Sequence, residues 1–226
     1  MIQTNKKGFT LLELLIVITI LSILTLVVVL FINPVEMLKK SRDVQRMSDL
    51  ATAKSAIVLY LQNSASNNLG GTTYCNATNF GTTDTSGKIK MSLGYATAGL
   101  KPSSNPAGES YNATTTADLY KNNAQGWIPY IDFTTFASGA PIAKLPVDPT
   151  NTSVATGAPG ADSLYYRYGC KTNNTFELDA TLESDTYKYL GTDSKTSIDG
   201  GNAVMRFEKG TDLNILPSTA PIFTVS

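Results

Sequence analysis

Between Phe9 and Ile32 the chain runs for 24 residues with a single charged side chain, Glu13. As a helix this run is about 36 Å long, enough to cross a hydrocarbon layer of about 30 Å. Before it stands the polar octapeptide MIQTNKKG, with Lys6, Lys7 and no acid, which places the N-terminal end on the cytoplasmic side. A cleaved secretory signal peptide fits poorly. The apolar part is too long, and Asn33-Pro34, Glu36, Lys39 and Lys40 follow it rather than a small-residue cleavage site. A plain signal anchor accounts for everything except Glu13.

Glu13 lies inside the apolar run, where an ionisable group costs about 2.5–3.5 kcal/mol on insertion scales and is usually functional and paired. No basic residue lies within the run. Its partner is therefore another chain, a lipid headgroup or a newly made terminal amine.

The stretch Lys7-Gly8-Phe9-Thr10-Leu11-Leu12-Glu13-Leu14-Leu15-Ile16-Val17-Ile18 resembles the class III signal of type IV pilins and type II secretion pseudopilins. The resemblance covers about the first 30 residues. It implies cleavage between Gly8 and Phe9 by a prepilin peptidase, which also methylates Phe9. It implies that Glu13 neutralises the terminal amine of a neighbouring subunit in a filament. The pairing is physically sensible, since a buried carboxylate and a buried ammonium are each costly alone. The looser run Lys144-Leu145-Pro146-Val147-Asp148-Pro149, followed by a tyrosine-rich strand, also resembles the heads of that family.

Beyond Ile32 the composition changes. Asn33-Pro34 bends or interrupts a helix, because proline lacks an amide donor and clashes with the preceding turn. From Val35 to about Asn63 a helical period resumes. Val44, Met47, Leu50, Ala51, Ile57, Val58 and Leu61 form its apolar side, with Lys54 interrupting the stripe, and Gln45, Ser48, Asp49, Thr52 and Ser55 lie opposite. The basic residues Lys39, Lys40, Arg42 and Arg46 read as a solvated face that also suits an anionic membrane surface. Residues 64–126 are rich in Ser, Thr, Asn and Gly and read as a long polar loop region, with a short strand at Lys88–Leu93.

Strand signals gather in the last hundred residues. Phe176 to Glu183 alternates strictly, predicting one buried and one wet face, and Asn173-Asn174 turns it back on Leu164–Cys170 as a hairpin. Ala203–Phe207 reads as a third strand. Trp127–Phe136 and Ile142–Val147 are shorter apolar runs, and at their spacing Trp127 and Tyr130 read as core. The expected class is α+β. A long N-terminal helix, apolar in its first half and amphipathic in its second, packs on a small antiparallel sheet of three to four strands. The segments are 1–8 leader, 9–32 membrane or filament-core helix, 33–63 amphipathic half, 64–126 polar variable region and 127–226 β-sheet head.

Cys75 and Cys170 are the only cysteines. A head exported through the membrane permits a bridge between them, and two separate buried thiols are the alternative. Asp148 with Asn151, Asp193, Asp199 before Gly200-Gly201-Asn202, and Asp212 supply hard-cation oxygens, but they are ordinary turn residues and no EF-hand spacing joins them. We expect no metal and no cofactor. With no histidine in the chain, histidine-based acid–base, nucleophilic and metal chemistry is excluded. No nucleotide-binding or nucleophile-elbow motif is present. Eighteen basic against eighteen acidic residues give no basic footprint, so no nucleic acid is expected as a partner.

The expectation is a structural, non-enzymatic pilin. Its partners are copies of itself in a helical filament, a prepilin peptidase and methyltransferase, membrane lipid before assembly, and a pilus or secretion assembly platform. It sits in the cytoplasmic membrane before assembly and in a surface filament afterwards. A major pseudopilin of a type II secretion system and a signal-anchored extracytoplasmic binding domain are the alternatives.

Overall fold

The computed structural model describes residues 8–63, 68–71, 75, 89–93, 117–151, 164–216 and 218. The chain divides into two compact units, Met1–Lys39 and Lys40–Ser226.

In the first unit α1 spans Leu11–Ile32. It ends at Asn33, whose φ of 46° and ψ of 73° are left-handed, a conformation asparagine tolerates better than most residues. Pro34 then opens α2, Pro34–Asn63, at the one helical position where its missing amide costs nothing. The Asn33 carbonyl accepts from Glu36 and Met37 amides at 3.1 and 3.3 Å. The long helix expected from the sequence is thus two helices, interrupted at Asn33.

In the second unit α2 packs against a four-stranded antiparallel sheet in the order β1 (Lys90–Met91), β2 (Tyr166–Cys170), β3 (Phe176–Thr181), β4 (Arg206–Gly210). The β2–β3 hairpin pairs Tyr168 with Leu178, and β3–β4 pairs Ala180 with Phe207. This is the α+β arrangement. One face of the sheet presents Tyr166, Tyr168, Phe176, Leu178 and Ala180 to a core that includes Leu50, Ala53, Ile57 and Tyr60 of α2. Trp127, Ile128, Ile131, Phe133 and Leu145 complete that core from the 117–151 segment.

Val44 and Ala51 are exposed, while Asp43 and Arg46 are buried on the packed side of α2. The stripe runs through residues 43, 46, 50, 53, 57 and 60, because ionic partners for its first turns come from outside the helix. The face of β3 expected to be wet is buried: Glu177 and Asp179 are 0% exposed. The last strand begins at Arg206 rather than Ala203, because the Ala203 amide donates to the Glu208 side chain. Of the two aromatics read as core, Trp127 is fully buried but Tyr130 is exposed; Phe133–Thr135 is a 3-10 turn opened by Asp132, and the Trp127 indole donates to the Pro146 carbonyl at 2.8 Å. The Lys88–Leu93 strand is the two-residue β1 within the described residues.

Candidate functional site

The N-terminus of α1 is built by its own first residues. Thr10 is the N-cap: its Oγ1 accepts from the Glu13 amide at 3.2 Å, and Glu13 Oε2 accepts from the Thr10 amide at 3.4 Å and its hydroxyl at 3.3 Å. This reciprocal capping box satisfies two amides that the helix leaves without intrahelical partners. Thr10 was missed by sequence reasoning as a functional residue, although Thr-x-x-Glu before an apolar run is the signal for it.

The remaining polar side chains of α1 turn inward on its own backbone. Thr19, Ser22 and Thr25 hydroxyls each donate to a carbonyl three or four residues back, all at 2.7 Å. Every described side chain from Gly8 to Ile32 is exposed, with Leu11 at 84% and Phe31 at 86%. An apolar helix that no described residue covers requires lipid or other helices around it. Gly8 stands before the helix with open space where a Cβ would lie, and Phe9 is 78% exposed, so among the described residues nothing packs over the bond between them.

Away from the helix, Cys75 and Cys170 are joined by a disulfide, with Cα atoms 4.7 Å apart. It ties residue 75 to the end of β2 and lies in the core beside Leu69. Lys39 and Lys40 stay on the surface or half-buried, but Arg46 does not belong to a solvated basic face. It is 0% exposed and meets Asp148, Asp43 and Glu183, while Arg42 donates twice to Glu183 at 2.9 and 2.7 Å. Asp43 also accepts from the backbone amides of Glu183 and Ser184. Burial pushes Arg46 down, but the carboxylates of Asp148 and Glu183 outweigh it and hold the guanidinium charged.

The late acids considered as cation ligands are engaged by side chains and amides of the protein itself, Asp148 by Arg46 and Asp212 by Lys171. Asp148 accepts from Thr150, Asp199 from Gly201, and Asp212 from Asn214; Asp193 pairs with Lys195. Among the described residues no three His, Cys, Asp or Glu side chains group as metal ligands.

Residues 3–29 match the model of the prokaryotic N-terminal methylation motif, the class III signal of type IV pilins and pseudopilins. The chain matches no curated protein and no solved structure. The motif supports a pilin-like or pseudopilin precursor, a structural protein rather than a catalyst. It implies processing by a prepilin peptidase and assembly into a pilus-like filament. With the apolar α1 it supports membrane anchoring before assembly.

Proposed function

We propose that the chain is the structural subunit, the pilin, of a type IV pilus-like extracellular filament. The observation that carries this reading is α1: apolar on every side, exposed along its whole described length, and carrying one acid in its first turn next to a methylation motif. Cleavage between Gly8 and Phe9 removes two lysines and no acid, leaving sixteen basic against eighteen acidic side chains. Phe9 then carries the methylated terminal amine. Phe9 directly precedes the N-cap Thr10, so the new positive charge lies at the positive end of α1.

Two positive features at one helix end leave the amine poorly placed in an apolar bundle without an anion. Glu13 of an adjacent subunit supplies it. In the filament the α1 helices pack together, replacing lipid with neighbours, and the sheet units form the outer layer. The disulfide spanning 95 residues and the Ser/Thr-rich composition of residues 64–126 favour a surface fibre over a periplasmic piston.

Mass spectrometry of the N-terminal peptide from native cells tests the processing step. The expected peptide begins at N-methylated Phe9, and Gly8→Val leaves an uncut precursor in the membrane. A filament whose subunits retain the MIQTNKKG leader would overturn the proposal.

A further inference from the structure

The outer face of the sheet, opposite α2, holds five ionisable side chains away from solvent: Arg167 on β2, Glu177 and Asp179 on β3, Arg206 and Glu208 on β4, each at most 3% exposed. Asp179 lies between the two guanidiniums. Arg167 Nε donates to it at 2.8 Å and Arg206 Nε at 2.8 Å. The two cations therefore share one carboxylate intimately, and two carboxyls remain. Fully ionised, the five groups sum to one negative charge in a place where an uncompensated charge is costly.

Among the described residues the covering comes from the segments on either side of β4, residues 199–205 and 211–216. Ile215 and Leu216 amides both donate to Glu177 Oε2, at 2.7 and 2.8 Å. The Ala203 amide donates to Glu208 Oε2 at 2.8 Å, and the Glu208 amide donates to Asp199 Oδ2. Two glycines permit this close approach. A Cβ on Gly169 would lie 2.7 Å from Leu216 Cδ2, and one on Gly201 would lie 1.8 Å from Glu208 Oε2.

Each carboxyl has a second oxygen, Oε1, that is buried and finds no donor among the described residues. Glu208 pairs with Asp179, and Glu177 with Gly210, in the β3–β4 ladder, so the two carboxyls are diagonal neighbours on one face of the sheet. Carboxylates only accept, so neighbouring carboxyls can satisfy these two oxygens on one another only with a proton between them. One proton also brings the five-group sum to zero.

We propose that Glu177 and Glu208 hold a single proton between them in the folded protein, and that this shared proton latches the segments flanking β4, residues 199–205 and 211–216, onto the outer face of the sheet. Burial, and next the hydrogen bond to Glu208, push Glu177 from the ordinary 4.5 up to about 9, and burial raises Glu208 as well. Among the described residues the other charges facing the pair are Arg167 and Arg206, which both bind Asp179, and Asp199 from the covering segment, which burial also raises.

The sign follows from linkage. A carboxyl raised in the folded state contributes stability that is complete below its unfolded value and is lost as pH rises toward its folded value. Between pH 5 and 9 the folding equilibrium constant falls by up to about tenfold per pH unit from this pair. Losing the proton places two like charges in contact beneath Ile215 and Leu216, so the covering segment is what opens.

The test uses the full chain in detergent micelles with its disulfide intact. Denaturant unfolding is followed by fluorescence of Trp127, the single tryptophan and fully buried. Wild type should lose stability steadily from pH 5 to 9. Glu177→Gln, which keeps the acceptor for Ile215 and Leu216 and supplies a permanent donor to Glu208, should flatten that slope. Asp199 and the desolvated Lys90 are common to both proteins, so the difference isolates the pair. Infrared spectra of wild type at pH 7 should show the C=O stretch of a buried protonated carboxyl that is missing in Glu177→Gln. This reading on wild type, and the same measurements on Glu208→Gln, decide the matter if Glu177→Gln does not fold. Parallel pH profiles with no protonated carboxyl band would overturn the proposal. So would a chelator that destabilises wild type alone, since a cation would then hold the two oxygens.

Discussion

Arg46 of α2 reaches across 102 residues of sequence to Asp148, donating from Nε at 2.7 Å and Nη2 at 2.9 Å, with both side chains 0% exposed. The same guanidinium meets Asp43 at 2.8 Å and Glu183 at 2.5 Å. One cation thus joins the helix, the 148–150 turn and the end of β3. Tyr166 adds a parallel tie from β2, its hydroxyl donating to Asp49 at 2.8 Å.

Removing that cation strands its carboxylates. Arg46→Ala should lower the unfolding free energy by about 3–5 kcal/mol, because breaking a buried pair leaves uncompensated charge. Arg46→Lys should also destabilise, since an ammonium cannot form the two-pronged contact with Asp148. Denaturant titration of the detergent-solubilised chain checks both. A loss below about 1 kcal/mol for Arg46→Ala, the range of solvent-exposed pairs, would show that the network is hydrated.

The disulfide closes a 95-residue separation between Cys75 and Cys170. In the chain-entropy account such a loop contributes about 4–5 kcal/mol. The paired variant Cys75→Ser with Cys170→Ser should lose stability of that order. Peptide mapping without reductant, on protein alkylated as cells are broken, should recover the two cysteines in one cross-linked peptide; two alkylated thiols would count against it.

On the acid side the sign is opposite to that of the carboxyl pair. The hydrogen bond from Arg42, then the one from Arg46, outweigh burial and hold Glu183 below its ordinary value. Burial pushes Asp179 up, but Arg167 and Arg206 outweigh it and hold it below. Their stabilisation is complete above the unfolded carboxyl values and fades as pH falls through the folded ones. Stability should therefore drop steeply below about pH 4. Thermal melts from pH 6 to 2 check this, and Glu183→Gln should make the acid limb shallower.

Glu13 separates the filament reading from a plain anchor. Glu13→Val should insert in membranes at least as well as wild type, since a charge leaves the apolar run. It should still be cut, since Gly8 and Phe9 are unchanged. Assembly should fail, because the incoming amine meets no carboxylate. Glu13→Gln keeps an oxygen acceptor for the Thr10 amide yet loses the charge, and should fail nearly as badly. Filament yield in sheared fractions, beside processed protein in membranes, is the measurement. Abundant filaments from Glu13→Val cells would remove Glu13 from the docking step.

Local sequence carried what depends on neighbours in the chain. Phe9–Ile32 is apolar by composition alone. The motif around Gly8, Phe9 and Glu13 is a contiguous string, and the β2–β3 hairpin follows from alternation on either side of Asn173-Asn174. Even the capping box of Thr10 and Glu13 is written three residues apart. The tertiary structure decided which charges go inside. Periodicity treats a charged residue as solvent-facing, so it placed Arg46 outside and left one side of β3 wet. Both are buried because complementary charges and amides arrive from distant segments: Asp148 and Glu183 for Arg46, Arg206 for Asp179, and the amides of Ile215 and Leu216 for Glu177. A charge is tolerated in the interior when its partners surround it. Those partners stand tens of residues to more than a hundred away, brought into place by the packing of α2 on one face of the sheet and of the segments flanking β4 on the other.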